Sequence, residues 1–206
     1  TTDAPVEVIR EKIEPVMKKS GVVGLNIATR ADCLEDDVLS YLAELAERTV
    51  LTVELGLQSA SDVTARVINR GHTYADFLLG YEKLRRVSER INICIHIIFG
   101  LPGENRKMML ETVKAVAKLS PEQVKIHLLH VIRGTALADI YLRGEYTPLT
   151  QEEYVDIVAE ALTYLPPETV IGRLTGDGVQ SELLAPDWSR RKTAVINDIE
   201  KKMYAD

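Results

Sequence analysis

The fold class of this 206-residue chain follows from one apolar run, Ile93-Cys94-Ile95-His96-Ile97-Ile98-Phe99. Near-continuous apolar runs of this length are typical of strands that are covered on both faces, as in parallel sheets. Antiparallel strands with one solvated face alternate apolar and polar residues instead. The run therefore predicts a buried parallel strand, and similar runs elsewhere predict its neighbours.

Strands and helices alternate along the rest of the chain. Apolar runs predict strands at 22–28, 50–57, 91–99, 123–131 and 170–174. Helical spacing and capping residues predict helices at 5–19, 35–48, 61–70, 73–87, 105–119, 150–165 and 189–203. This alternation with short connections predicts an α/β fold, either a barrel or an open doubly wound sheet. In both architectures the functional residues follow the carboxyl ends of the strands.

The composition is that of a globular domain. Apolar residues make up 46% of the chain and charged residues 27%, and the formal net charge is −6 at pH 7. The acidic balance disfavours a nucleic-acid surface. No run of eighteen apolar residues occurs, so we expect no membrane segment. The two cysteines, Cys33 and Cys94, are too far apart for a CxxC-type metal motif, and sparse cysteine suits a cytoplasmic location.

Polar residues interrupt the predicted strands near their carboxyl ends. They are Asn26, Glu54, Gln58, His96 and His130. Burying such groups is costly unless they are paired. Because the carboxyl ends of parallel strands meet at one edge, these residues predict a polar ligand site there. The alternative is that each has a purely structural partner within the chain.

Four motifs and a matching tail resemble the radical S-adenosylmethionine (SAM) superfamily. They are Asn26-Ile27-Ala28-Thr29-Arg30, Glu54-Leu55-Gly56-Leu57-Gln58-Ser59, Asn69-Arg70-Gly71-His72, Ile98-Phe99-Gly100-Leu101-Pro102-Gly103-Glu104, Arg173-Leu174-Thr175-Gly176-Asp177-Gly178 and Ala185-Pro186-Asp187-Trp188-Ser189. Their order is most similar to the YhcC-like group, near the Elongator catalytic subunit and the oxygen-independent coproporphyrinogen oxidases. The resemblance implies a partial (β/α) barrel of parallel strands with outer helices. Residues 1–165 would form the later part of that barrel, and 166–206 a C-terminal extension packed on it.

The resemblance implies a SAM-binding role for five positions. Asn26 and Gln58 align with contacts to SAM, and Asn26 would meet its amino-acid part. Arg70 aligns with a residue that holds the SAM carboxylate. His96 stands where relatives use a carboxylate on the ribose hydroxyls, and backbone near His130 aligns with an adenine contact. Guanidinium and amide groups suit these tasks because they bind carboxylates, amines and hydroxyls.

The resemblance also implies a reaction. Members of the family hold a [4Fe–4S] cluster on three closely spaced cysteines; the cluster reduces SAM, and the resulting 5′-deoxyadenosyl radical abstracts hydrogen from a substrate. Cys33 and Cys94 cannot supply such a ligand set, so the resemblance places the cluster ligands before Thr1 and predicts that this chain alone is inactive. Glu54 would lie in the barrel interior near the reacting centre as a catalytic residue. An electron donor such as flavodoxin or ferredoxin is implied; the substrate is not, and RNA is disfavoured by the acidic balance.

Two other functions stay open at the level of sequence. One is a different α/β-barrel enzyme of the lyase or aldolase type, with Glu54, His96 or His130 as acid and base and Lys125 as its internal lysine. The other is a non-catalytic scaffold module, in which the polar strand-end groups pair only with each other. A partial barrel further predicts that strand 22–28 is a sheet edge.

Overall fold

The structure is a computed structural model that describes residues 2–176, 178 and 181–205. Eight α-helices occur in this part of the chain: α1 (Val6–Met17), α2 (Asp36–Arg48), α3 (Asp62–Val67), α4 (Tyr74–Val87), α5 (Arg106–Ala117), α6 (Ala136–Leu142), α7 (Gln151–Tyr164) and α8 (Lys192–Ala205). The strands are β1 (Gly24–Thr29), β2 (Val50–Gln58), β3 (Ile91–Phe99), β4 (Gln123–Leu128), β5 (Val131–Ile132), β6 (Val170–Arg173) and β7 (Leu183–Ala185). None of the helices in the described part of the chain is long and apolar enough to cross a membrane.

Five strands form one parallel sheet in the order β1-β2-β3-β4-β6. Parallel strands that follow one another in space as they do in sequence, joined by right-handed crossovers, place their helices on one face. A doubly wound sheet would need a reversal of strand order. The sheet therefore has the topology of a partial (β/α) barrel, which is the fold that the sequence predicts.

The two faces of the sheet differ. On the helix-covered face, side chains such as Leu55, Ile95 and Ile126 are completely buried. On the opposite face, which we call the polar face, Glu54, His96 and Lys125 are only partly buried. The expectation of strands apolar on both sides is therefore wrong for much of this sheet. In the run 93–99, isoleucines fill the covered face, and Cys94, His96 and Ile98 alternate with them on the polar face, so that His96 alone interrupts the apolar pattern.

Local capping fixes where several helices begin. Thr73 and Thr150 each form a capping box with the acidic residue three positions later, Asp76 and Glu153. Ser61 accepts a hydrogen bond from the N–H of Thr64 at 3.3 Å. These three caps confirm the helix starts expected from sequence.

The fourth strand is shorter than its sequence indicates. β4 ends at Leu128, and after two loop residues β5 pairs antiparallel with β7 in a separate sheet. His130 therefore lies in the loop and not in a strand, which corrects the prediction of strand 123–131. Apolar residues continue across the break, so no breaker marks it. Helix α6 was likewise not predicted, and α8 begins at Lys192 rather than at residue 189.

Strand β1 is at the end of the main sheet and pairs only with β2 among the described residues. The prediction of an edge strand is confirmed. At the other end, β6 adds residues 170–173 to the same sheet, through pairing with β4. The division of the chain at residue 165 stays a prediction.

Gly80 is expected to be indispensable to the packing of α4. A Cβ at this position would lie 2.4 Å from the backbone oxygen of Ala31 and 2.8 Å from its Cβ. Because backbone cannot move aside cheaply, Gly80→Ala should lower the free energy of unfolding by about 1–3 kcal/mol, measured by urea denaturation. Leu79→Ala on the same helix, where Leu79 is exposed, should change it by less than about 1 kcal/mol. Equal stability of the two variants would contradict this packing.

Candidate functional site

A carboxylate lies at the centre of the polar face. Glu54 Oε1 accepts hydrogen bonds from Lys125 Nζ at 2.7 Å and from Asn26 Nδ2 at 3.3 Å. His96 Nε2 lies 3.0 Å from Oε2, without the geometry of a hydrogen bond. The four residues come from the adjacent strands β1, β2, β3 and β4. The strand register brings them together, since Ala28 pairs with Glu54 and His96 pairs with Lys125. We call Asn26, Glu54, His96 and Lys125 the Glu54 cluster.

The Glu54 cluster is built around an ionised carboxylate. The Glu54 side chain is only 11% exposed, and that of Lys125 15%. Burial raises the pKa of Glu54, but the hydrogen bond and the charge of the Lys125 ammonium outweigh burial and hold that pKa below its usual value. The carboxylate of Glu54 is therefore charged at neutral pH and is engaged by the chain's own groups.

Two histidines lie side by side next to this cluster. The ring centroids of His96 and His127 are 5.0 Å apart. Burial lowers the pKa of both, and it lowers the pKa of His127 to about 4, with His96 and Arg173 adding to the effect. The Nε2 atoms of both are buried and have no hydrogen-bond partner among the described residues. Two neutral imidazoles thus lie on the polar face, and Nε2 of His127 is an unused polar atom.

His127 was not selected by sequence reasoning, which chose His130 from the same strand region. The spacing could have identified it, because His127 is two residues after Lys125 and residues i and i+2 of a strand share a face. His130 instead lies against the C-terminal segment. Its Nδ1 is 2.7 Å from where a Cβ on Gly178 would be, and its Cε1 is 2.9 Å from the corresponding point on Gly176. Asp177, between them in the motif, lies outside the described residues.

Gln58 and Arg70 meet further along the polar face, above Gly56. A Cβ on Gly56 would lie 2.5 Å from Gln58 Nε2 and 2.9 Å from Arg70 Nη2. Arg70 Nη2 also donates to the backbone oxygen of Gly56. Gln58 has a φ of 71° at a bulge in β2, which turns its amide back over the glycine. The absence of a side chain at Gly56 therefore creates the room that both polar groups occupy.

Arg70 has unused binding capacity. Its Nε atom is buried and has no hydrogen-bond partner among the described residues. Burial lowers the pKa of Arg70, and the neighbouring Arg30 lowers it further. A partly desolvated guanidinium with a free donor is suited to a carboxylate ligand, which would supply both the missing charge and the missing acceptor.

The turn after β3 is tied to the turn after β2. Glu104 accepts a hydrogen bond from the buried hydroxyl of Ser59 and contacts the hydroxyl of Thr64. Burial raises the pKa of Glu104 above its usual value. Since Ser59 follows Gln58 directly, this contact helps to hold the strained backbone of Gln58. Sequence reasoning placed Glu104 in a motif but gave it no role.

Metal ligands are a separate question. Among the described residues, no group of three or more His, Cys, Asp or Glu side chains is arranged to hold a metal ion. Cys94 is buried, and burial raises its pKa to about 12, which leaves it protonated. The polar face therefore gathers polar side chains, and the described residues hold no metal-ligating group of this kind.

Two family models match the chain. The model of the radical SAM superfamily matches residues 2–116, and that of the radical SAM C-terminal domain matches residues 121–205. The uncharacterized protein YtqA of Bacillus subtilis is 49% identical over 98% of this chain and 62% of its own length. Protein YhcC of Escherichia coli is 30% identical over 98% of this chain and 65% of its own length. The chain thus spans a little less than two thirds of the length of these relatives.

A solved structure has the same fold. The archaeal Elp3 of Methanocaldococcus infernus, with an N-terminal deletion, superposes with a TM-score of 0.73 at 25% identity, over 87% of this chain and 42% of that one. Together with the relatives, this structure confirms the resemblance to the YhcC-like and Elongator group that the motifs indicate.

Proposed function

Since this chain belongs to the radical SAM superfamily, whose members perform SAM-dependent radical chemistry, we propose that its polar face is the SAM-binding side of such an enzyme. The observation that carries the proposal is the pairing of Gln58 and Arg70 over Gly56. Both side chains reach the same space, and Arg70 retains a buried donor without a partner. A ligand with a carboxylate and an amine satisfies these groups.

Four side chains would divide the ligand between them. Arg70 holds the carboxylate of SAM, and Gln58 and Asn26 bind its amino-acid part. His96, a neutral imidazole beside Glu54, binds a ribose hydroxyl. Backbone near His130 is proposed to meet the adenine, because it lies beside the C-terminal glycines.

The remaining chemistry depends on groups outside these residues. SAM bound next to a reduced [4Fe–4S] cluster supplies a radical able to abstract hydrogen. The described residues contribute binding, orientation and exclusion of water, while the cluster ligands, the electron donor and the substrate are proposed to lie outside this chain. Glu54 is proposed to stay near the reacting centre, where its charge orients His96 and Lys125.

Replacement of Gly56, over which Gln58 and Arg70 meet, tests this arrangement. The atoms that meet a Cβ at position 56 are the ends of two flexible side chains, so Gly56→Ala should change the free energy of unfolding by less than about 1 kcal/mol. The displaced Gln58 and Arg70 should nevertheless weaken SAM binding by about tenfold, measured by equilibrium dialysis, as one lost charge-assisted hydrogen bond would. Unchanged SAM affinity in a stable variant would contradict the proposed site.

The direct experiment uses the protein that carries this chain together with the three cluster cysteines of the family. Purified without oxygen, it should show the broad brown absorption of a [4Fe–4S] protein and cleave SAM to methionine when reduced. The 206 residues alone should do neither. Stoichiometric iron on these residues alone, or a cluster-loaded protein that leaves SAM intact, would overturn the proposal.

The scaffold alternative has one observation in its favour. Asn26 and Lys125 both donate hydrogen bonds to Glu54. The hydrogen bond to Glu54 also occupies Lys125, the internal lysine that a lyase or aldolase would require. The unpartnered atoms of Arg70 and His127 favour a ligand site instead, and absence of SAM binding in the cluster-loaded protein would favour the scaffold.

A further inference from the structure

Side chains hold both backbone polar groups of Gly100, which directly follows β3. Its N–H donates to Sδ of Met109 at 3.3 Å, and its oxygen accepts the hydroxyl of Tyr146 at 2.7 Å. Gly100 has a φ of 87°, a left-handed conformation that favours glycine. Groups of the chain therefore fix the turn from which Leu101-Pro102-Gly103 continues.

The hydroxyl of Tyr146 reaches this turn from a distant part of the sequence. Gly100 lies in the region that matches the superfamily model, whereas Tyr146 lies in the region that matches the C-terminal domain. Burial raises the pKa of Tyr146 to about 12, so its hydroxyl remains a hydrogen-bond donor at neutral pH. The C-terminal region thus places one donor on the backbone of the barrel.

A second contact anchors the segment that carries Tyr146. The side chain of Leu149 lies 3.4 Å from where a Cβ on Gly100 would be. The backbone oxygen of Leu149 accepts the indole N–H of Trp188 at 3.0 Å. The segment that carries Tyr146 is therefore tied at Leu149 to Trp188, independently of the hydrogen bond from Tyr146 to Gly100.

We propose that Tyr146 is a positioning residue for SAM binding, through which the C-terminal region completes the ligand site of the barrel. Gly100 is four residues after His96, the side chain proposed to bind the ribose. The two fixed peptide groups that flank Gly100 set the end of β3, and with it the surface that the nucleoside part of SAM would contact. This inference rests on the proposed function.

The test compares two tyrosines that each donate to a backbone oxygen at 2.7 Å. Tyr146→Phe in the cluster-loaded protein should raise the Kd for SAM by about 3- to 10-fold, the effect of one lost hydrogen bond. Tyr81→Phe is the matched control, because the hydroxyl of Tyr81 bonds Leu119 at the amino end of the sheet. It should destabilise the protein without changing the Kd.

Hydrogen exchange supplies a readout that needs no SAM. The N–H of Gly100 should exchange about fivefold faster in Tyr146→Phe than in the wild type, and Met109→Leu, which removes the acceptor of that N–H, should have the same effect. The inference is overturned if Tyr146→Phe leaves either the exchange or the Kd unchanged, or if Tyr81→Phe raises the Kd equally. A wild-type protein that does not bind SAM refutes the proposed function, and the inference fails with it.

Discussion

Replacing Glu54 by glutamine is expected to lower the free energy of unfolding by about 3 kcal/mol or more, because removal of one partner from a buried ion pair leaves the other charge uncompensated. The lone charge would be the ammonium of Lys125, which donates to Glu54 at 2.7 Å and whose side chain is 15% exposed. Urea denaturation at pH 7 measures the change. Glu82→Gln is the control, since Glu82 pairs with Arg86 on an exposed helix face and should contribute less than about 1 kcal/mol.

The double variant Glu54→Gln/Lys125→Met sharpens the test. If the loss arises from the unpaired ammonium, removal of that ammonium as well should restore part of the stability. Additive losses in the double variant would show that the two groups stabilise the fold independently, against the ion pair described here.

The same carboxylate should contribute to the acid sensitivity of the fold. Because the folded protein holds the pKa of Glu54 below its usual value, the stabilisation from Glu54 is complete above the unfolded pKa of about 4.3. It is lost as the pH falls through the lower, folded value. The stability difference between wild type and Glu54→Gln should therefore narrow below about pH 4. A constant difference across that range would contradict the depressed pKa.

Replacing Arg70 by methionine should weaken SAM binding by about 30-fold or more, as loss of a buried charge-assisted contact does. Arg70→Lys keeps the charge but not the forked geometry, so its affinity for SAM should fall between those of the wild type and Arg70→Met. Arg66→Met is the matched control, because Arg66 is exposed and lies four residues earlier, in the last turn of α3. Isothermal titration with the cluster-loaded protein measures all three.

Two outcomes of that titration would count against the site. Equal affinity of Arg70→Met and the wild type would remove Arg70 from the ligand, and with it the observation on which the proposed function rests. Equal loss in Arg66→Met would show that binding follows the overall charge of this region rather than the guanidinium above Gly56.

Local sequence signals were sufficient for the order and type of most elements. Hydrophobic periodicity and helix caps depend on neighbours within about one helical turn. For that reason Ser61, Thr73 and Thr150 correctly identified the starts of three helices. The boundary after Leu128 was missed because it depends on a long-range partner: Val131 leaves the sheet to pair with Ala185. No local sequence signal near Leu128 indicates that pairing.

The sequence by itself determined the parallel α/β fold and the motifs that indicate the family, because these rest on periodicity and short spacing, while the edge position of β1 followed from the family resemblance. Tertiary structure alone decided the partners. Glu54 and Lys125 are 71 residues apart in sequence and meet only because β2, β3 and β4 pair in one register. A shift of one residue in that register would turn Lys125 and His127 toward the helices, since side chains alternate between the faces of a strand.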